Sequence, residues 1–355
     1  MSLTPVPIEL GQDQLWRAGL GHDYPGMIAA ARAALVELES GHATGAKATV
    51  APRDEDIFDF ADPELSGFDL AGEDLDWKLS ALVSVNRRHG AVKIVGANAY
   101  NRCLGLPRSR STILLFDKLT MLPLAILDGT DISAVRTGAY ASVVADLFYA
   151  PRAEGRVVIV GAGRIAEAVI RCLDASHRER IGRITLISRD ASRAEALAER
   201  LRATVGIELA AAHDRRPLAE ADLIVTATTA RGPVVAAEEI PRGITTLLLG
   251  GDEFPEAYIE SVLAEGLVYC DSVAAVAHRN VQSLALYFSR RGTTMTQAPI
   301  RSLAQEMLHP VWEAGRPVHV SCIGLPALDL YVTEYLYDRL GPVERLPVRQ
   351  LRRAG

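Results

Sequence analysis

Gly161, Gly163 and Ala166 follow the apolar run Val157-Val158-Ile159-Val160, forming G-x-G-x-x-A between a strand-like and a helix-like segment. The first glycine permits a tight turn, the second admits close backbone approach, and a small third residue lets helix and strand pack closely. Main-chain amides at a helix start, with the positive end of the helix dipole, suit a phosphate. The spacing therefore predicts a dinucleotide site made by Gly161, Gly163, Arg164 and Ile165.

The next apolar run ends Ile187-Ser188-Arg189-Asp190. An acidic residue there bonds the ribose 2′-hydroxyl of NAD, whereas an arginine pairs with the 2′-phosphate of NADP. Ser188, Arg189 and Asp190 offer both, so NAD and NADP stay open, as does a plain loop of solvated charges. Thr226 and Thr228 close the run 223–227, where hydroxyls can face a bound cofactor or simply end a strand.

Three other residues stand in unusual settings. Lys93 interrupts an apolar run, 91–95, where a lysine needs a partner. Arg136 begins an alanine-rich helical stretch, where a solvated charge is the plain alternative. Asp252 follows Gly250-Gly251 beyond the apolar run 245–249, a place equally suited to a turn aspartate.

The elements that must position these residues fall into two rhythms. Residues 24–40 carry a helical apolar stripe, a looser acidic stretch covers 54–76, and strand-like runs follow at 91–95, 111–116 and 122–127. The last two flank Asp117-Lys118-Leu119-Thr120, which predicts a hairpin and an antiparallel sheet. A helix over 133–149 leads to a hinge at 151–155. Strands and helices then alternate: strands at 156–160, 184–187, 223–227, 245–249 and 267–270, helices at 165–175, 192–201 and 274–289. Such alternation implies right-handed βαβ units and a parallel sheet covered on both faces. The tail holds a strand-like run, 318–323, and a helix, 327–340, both expected to return to the first domain.

The chain has 355 residues, more than one hydrophobic core usually serves, so two domains are expected. The fold class is α/β: a Rossmann dinucleotide-binding domain over 151–309 and a discontinuous α+β substrate and dimerisation domain over 1–150 and 310–355. A net charge of −6 argues against nucleic acid, and Arg108-Ser109-Arg110 suits a small anion. No apolar run reaches the roughly 18–20 residues of a membrane span. Cys103, Cys172, Cys270 and Cys322 form no CxxC pair and read as buried thiols of a reducing compartment, and no metal site is expected. No signal peptide is apparent at Met1-Ser2-Leu3-Thr4-Pro5, so the cytoplasm is the expected location.

Over roughly residues 25–340 the chain resembles the ornithine cyclodeaminase/μ-crystallin family. The resemblance rests on Lys93-Ile94-Val95, Asn101, Gly105-Leu106-Pro107-Arg108, Leu127-Asp128-Gly129, Ser133 through Ala139, the glycine turn, and Leu249-Gly250-Gly251-Asp252 with Pro255 and Glu256. Gly105 to Ser109, and His278-Arg279 to Ser283-Leu284, look like the siderophore-type branch that oxidises N-(1-amino-1-carboxyl-2-ethyl)-glutamate to 2,3-diaminopropionate and 2-oxoglutarate. The resemblance implies an NAD(P)-dependent enzyme acting on an amino or imino acid through an imine, and a homodimer. It implies that Lys93 and Arg136 hold the substrate carboxylate, that Asp252 is the acid/base, and that Ile323 lines the substrate. Arg108, Arg136, Thr137 and Cys322 would lie toward the cofactor. Two positions depart from the family. Its substrate-binding arginine is Lys47 here, with Arg53 nearby, and the lysine four residues past the catalytic aspartate is Glu256. Cyclodeamination of ornithine, lysine or arginine, reduction of a ketimine or opine-type imine, and a crystallin-like cofactor-binding role are the other readings.

Overall fold

A computed structural model describes residues 7–53, 56, 75–102, 104–151 and 154–340. The looser acidic stretch after Asp54, and Cys103, lie almost wholly outside them. Two compact units account for the chain: 1–23, 40–133 and 326–355 form one, and 24–39 with 134–325 the other. The helix Tyr24–Glu39, residues 134–150 and residues 310–325 thus group with the parallel sheet.

The first unit carries a six-stranded sheet of Ile8–Leu10 (β1), Thr44–Val50 (β2), Lys78–Val85 (β3), His89–Ala97 (β4), Ser109–Asp117 (β5) and Pro123–Asp128 (β6), in the order β1-β6-β5-β4-β3-β2. The predicted β5–β6 hairpin is antiparallel, and β1 adds a parallel edge to β6. Cross-strand register sets Lys47, Leu82, Lys93 and Ile113 in one row over β2 to β5. Directly opposed residues share a face, so Lys47 and Lys93 project from the same side, two strand spacings or roughly 10 Å apart. The helix Pro326–Arg339 belongs to this unit and contributes Asp329, Glu334 and Asp338.

The second unit is built on an eight-stranded, all-parallel sheet. Its strands are Arg156–Val160 (β7), Arg183–Ile187 (β8), Glu208–Ala212 (β9), Leu223–Thr226 (β10), Thr245–Leu248 (β11), Leu267–Cys270 (β12), Ile300–Ser302 (β13) and Val318–Ser321 (β14), ordered β13-β12-β14-β11-β10-β7-β8-β9. β7 is almost wholly β-branched and its last four residues are buried, as expected of a strand covered on both faces. From β7 the chain first winds outward through β8 and β9, then reverses to β10 and β11, so the end of β7 is a switch point where ligands bind. The fold class is therefore α/β with a Rossmann-type parallel sheet.

Two expectations are corrected. The run 318–323 does not return to the first domain: all four residues of β14 are buried, and it inserts between β11 and β12. The predicted helix 274–289 is two helices, Val273–Arg279 and Ser283–Arg290, separated where Asn280 takes the left-handed conformation (φ 46°). Inside the sheet, His319 bonds Thr246 and Ser321, and burial pushes its pKa down to about 3, so it sits there neutral. Cys172, Cys270 and Cys322 are buried free thiols. No helix among the described residues is long and apolar enough to cross a membrane.

Candidate active site

The carboxyl ends of β12, β14, β11, β10 and β7 lie side by side, and most second-unit candidates gather along that edge. Gly161 leaves β7 at φ +130°, and a Cβ there would come within 2.5 Å of the Ala227 carbonyl oxygen, so only glycine fits the turn. Gly163 caps the helix Arg164–His177 without a side chain, and a Cβ on it would point into open space. These features fit a pyrophosphate: the amides of the first turn are uncovered by any capping side chain, and the space beside them is one a larger residue would fill. Ala166 is fully buried, as close helix–strand packing requires. Arg164 is exposed and Ile165 half-buried.

At the end of β8, Asp190 caps the helix Ala191–Arg202, accepting from the Ser192 amide at 3.1 Å and the Ser192 hydroxyl at 2.6 Å. Those bonds hold its carboxyl below the usual range. Arg189 beside it is exposed, and Ser188 is half-buried.

Thr226 is fully buried, and Thr228 donates both its amide (2.7 Å) and its hydroxyl to Glu253 Oε1. Glu253 Oε2 takes the Gly250 amide at 3.1 Å. A wholly buried carboxylate thereby ties the loop after β10 to the loop after β11; burial raises its pKa and the Thr228 bonds oppose the shift. Asp252, on the second of these loops, meets Arg290 at 2.6 Å, while Glu256 meets Arg290 at 3.1 Å and Arg291 at 2.8 Å. The cation beside Asp252 thus comes from the helix Ser283–Arg290, not from four residues downstream.

Arg136 and Thr137 are buried on the helix Thr130–Phe148. The Arg136 guanidinium lies on Gly324, where a Cβ would fall 2.4 Å from Nη1. Asp271, at the end of β12, accepts from the Tyr140 hydroxyl (2.7 Å) and the amides of Gly324 (2.8 Å) and Ser272 (2.9 Å). Burial drives its pKa up, against the pull of those donors. Gln282 Nε2 donates to the carbonyls of Gly250 and Cys322, each at 3.0 Å, bracing the loops after β11 and β14. Cys322 is buried and Ile323 half-buried. Glu253, Asp271, Arg279 and Gln282 were not anticipated as parts of this edge. The one local signal was charge beside glycine, in Gly250-Gly251-Asp252-Glu253.

In the first unit, Lys93 is 2% exposed and bonds Asp329 at 2.8 Å and Ser133 at 3.0 Å. This answers the requirement for a partner. Lys47 is half-buried in the same cross-sheet row. Arg53 is exposed and forked onto Asp56 at 3.1 and 2.9 Å, and Arg108 pairs with Asp76.

A Rossmann-type sheet with a glycine turn at its switch point and a buried arginine, Arg136, farther along the same edge defines a class of dinucleotide-binding oxidoreductase fold. Residues 73–302 match the ornithine cyclodeaminase/mu-crystallin family, and the chain belongs to it. A Delta(1)-pyrroline-2-carboxylate reductase of Bacillus cereus is 30% identical over 263 residues, 70% of this chain and 76% of that protein. The solved structure of the Thermococcus litoralis enzyme of that name, in complex with NADH and L-proline, superposes with TM-score 0.77 at 22% identity, covering 94% of this chain and 97% of the other. An archaeal alanine dehydrogenase dimer with bound NAD gives TM-score 0.77 at 18% identity, covering 94% and 95%. Both superpositions show a shared fold. The diaminopropionate-forming branch is not singled out by these relatives.

Proposed function

We propose that this protein is an NAD(P)-dependent oxidoreductase working at the carbon–nitrogen bond of an amino or imino acid. The observation that carries the reading is the shared edge of one sheet: the Gly161 turn, the Asp252 loop and the buried Arg136 on Gly324 all lie at strand carboxyl ends. Gly161, Gly163, Arg164, Ile165, Ser188, Arg189, Thr226 and Thr228 would hold or border the dinucleotide, with Thr228 acting through Glu253. Once bound, the nicotinamide supplies or accepts a hydride. Arg136 holds the substrate carboxylate in the second unit, and Lys93, kept in place by Asp329 and Ser133, is the first unit's own carboxylate-binding candidate. Asp252 moves protons between amine, imine and attacking water, a task typically worth about 10²–10⁴-fold.

In the oxidative direction Cα loses a hydride and the amine nitrogen a proton, leaving an imine. Water adds at that carbon, the carbon–nitrogen bond breaks, and a 2-oxo acid and an amine leave. The finer substrate is N-(1-amino-1-carboxyl-2-ethyl)-glutamate, yielding 2-oxoglutarate and 2,3-diaminopropionate; the Gly105–Ser109 and His278–Leu284 stretches support it. Glu256, bound to Arg290 and Arg291, weighs against simple ornithine cyclodeamination. The second reading, imine reduction, is favoured by the 30% identical reductase.

Purified protein incubated with NAD or NADP and each candidate, with products read by mass, separates these. The proposed cleavage gives 2-oxoglutarate with a diamino acid. Ammonia with a cyclic imino acid would replace it by cyclodeamination, and consumption of a cyclic imine with NAD(P)H alone would replace it by reduction. We further propose a homodimer formed through the outer face of the first unit's sheet.

A further inference from the structure

We infer that Arg279 is a second anion-binding cation of the parallel-sheet unit, set beside Arg136 to take a carboxylate that the substrate carries beyond its α-carboxylate. The inference rests on the reading above, in which Arg136 holds the α-carboxylate.

Arg136 and Arg279 converge on one turn. Arg136 covers Gly324, and Arg279 Nη1 donates to the carbonyl of the preceding residue, Ile323, at 3.0 Å. The carboxylate nearest this pair is already engaged: Asp271 receives the Tyr140 hydroxyl and the Gly324 and Ser272 amides. Among the described residues Arg279 has a main-chain carbonyl as its hydrogen-bond partner and no ion pair. Arg290 and Arg291, farther along the chain, are paired with Asp252 and Glu256. Arg279 is moreover half-buried. Burial lowers its pKa, Asp271 works against that, and the like charge of Arg136 adds to it. A guanidinium out of full contact with water, next to a like charge and sharing with it the influence of one buried carboxylate, is a costly arrangement that an incoming anion relieves.

Position separates the possible anions. The turn follows β14, and β11 and β10 intervene before β7. Three strand spacings put it roughly 14 Å from the Gly161 turn, too far for the pyrophosphate held there. The cofactor's pyrophosphate is thus disfavoured against a carboxylate on the substrate. The class selected is an amino or imino acid with a second carboxylate, as against one with an apolar side chain.

The probes are 2-oxoglutarate and 2-oxopentanoate, which share a chain length and differ in the distal carboxylate. Their dissociation constants are measured calorimetrically on the full chain saturated with NAD(P)H. The wild type is expected to favour 2-oxoglutarate by about tenfold or more, the range of a hydrogen bond to a charged group. Arg279→Gln should collapse that ratio, Arg279→Lys should restore part of it, and Arg136→Gln should weaken both ligands. The lysine variant, and the use of a ratio, keep the outcome readable if overall stability falls. An unchanged ratio in Arg279→Gln, or equal binding of both acids by the wild type, would overturn the inference. If the preference depends on Arg279 yet no amino or imino acid exchanges hydride, the inference stands and the functional reading falls. Hydride exchange without the preference means the reverse.

Discussion

Arg189 and Asp190 are adjacent at the end of β8, yet the fold uses them differently. Asp190 is committed to capping a helix through Ser192, whereas Arg189 is exposed. A free guanidinium at this point suits a 2′-phosphate. Arg189→Ala is therefore expected to weaken NADPH binding by about tenfold, as loss of a charge-assisted bond does, and to change NADH binding little. Equal loss for both cofactors in a fluorescence titration would place Arg189 elsewhere. Asp271 offers a pH test. Its raised pKa means the native state holds that proton more tightly than the unfolded chain. Its contribution to stability is then fully present below the unfolded value of about 3.9 and is lost as pH rises through the raised one. The difference in unfolding free energy between wild type and Asp271→Asn should fall as pH rises from about 4; a flat difference would show that the fold does not shift this group, and a rising one that the charged form is favoured. The sequence showed that Lys93 needed a partner but not which, because Asp329 is 236 residues away. Asp271 and Gln282 were not foreseen, and Arg279 was noted only within the His278–Leu284 stretch with no role, for the same reason: what makes each unusual is its placement at a sheet edge, and no local pattern encodes that.

At the scale of elements, glycines mark where backbones must approach. Gly138 lies inside the helix Thr130–Phe148, and a Cβ on it would come within 2.5 Å of the Ala168 backbone in the helix Arg164–His177. Gly138→Ala should cost about 1–3 kcal/mol, the usual penalty of overpacking. Gly163→Val faces no atom within 4 Å, so thermal unfolding should shift little while dinucleotide affinity falls at least about tenfold. Normal cofactor binding by Gly163→Val would remove the glycine turn from the site. The strands that were foreseen are apolar runs, such as Arg156–Val160 and Leu223–Thr226, whose residues suit a sheet covered on both faces. Glu208–Ala212 was missed because its alanines carry little strand preference. The tail strand Val318–Ser321 was seen but assigned to the wrong sheet. Pairing partners follow from topology, which a run of four residues does not specify.

For the whole molecule, the outer face of the first unit's sheet bears on assembly. Val50, Leu79, Val83 and Ile94 are 44–64% exposed, and the register places them on the face opposite Lys47 and Lys93. Apolar side chains contiguous over three strands are what an interface leaves open when its partner is absent. The chain is expected to sediment at about twice its own mass, and Val83→Glu to shift it toward single chains by burying an unpaired charge. A wild-type monomer at micromolar concentration would contradict the dimer. The central claim, that a bound nicotinamide exchanges hydride with the α-carbon of an amino acid, has a more direct test. Protein is incubated with NAD or NADP and a substrate deuterated only at that carbon, and the reduced cofactor is weighed by mass spectrometry. One deuterium in the reduced cofactor is the predicted result. Product formation with no deuterium transferred would contradict the account.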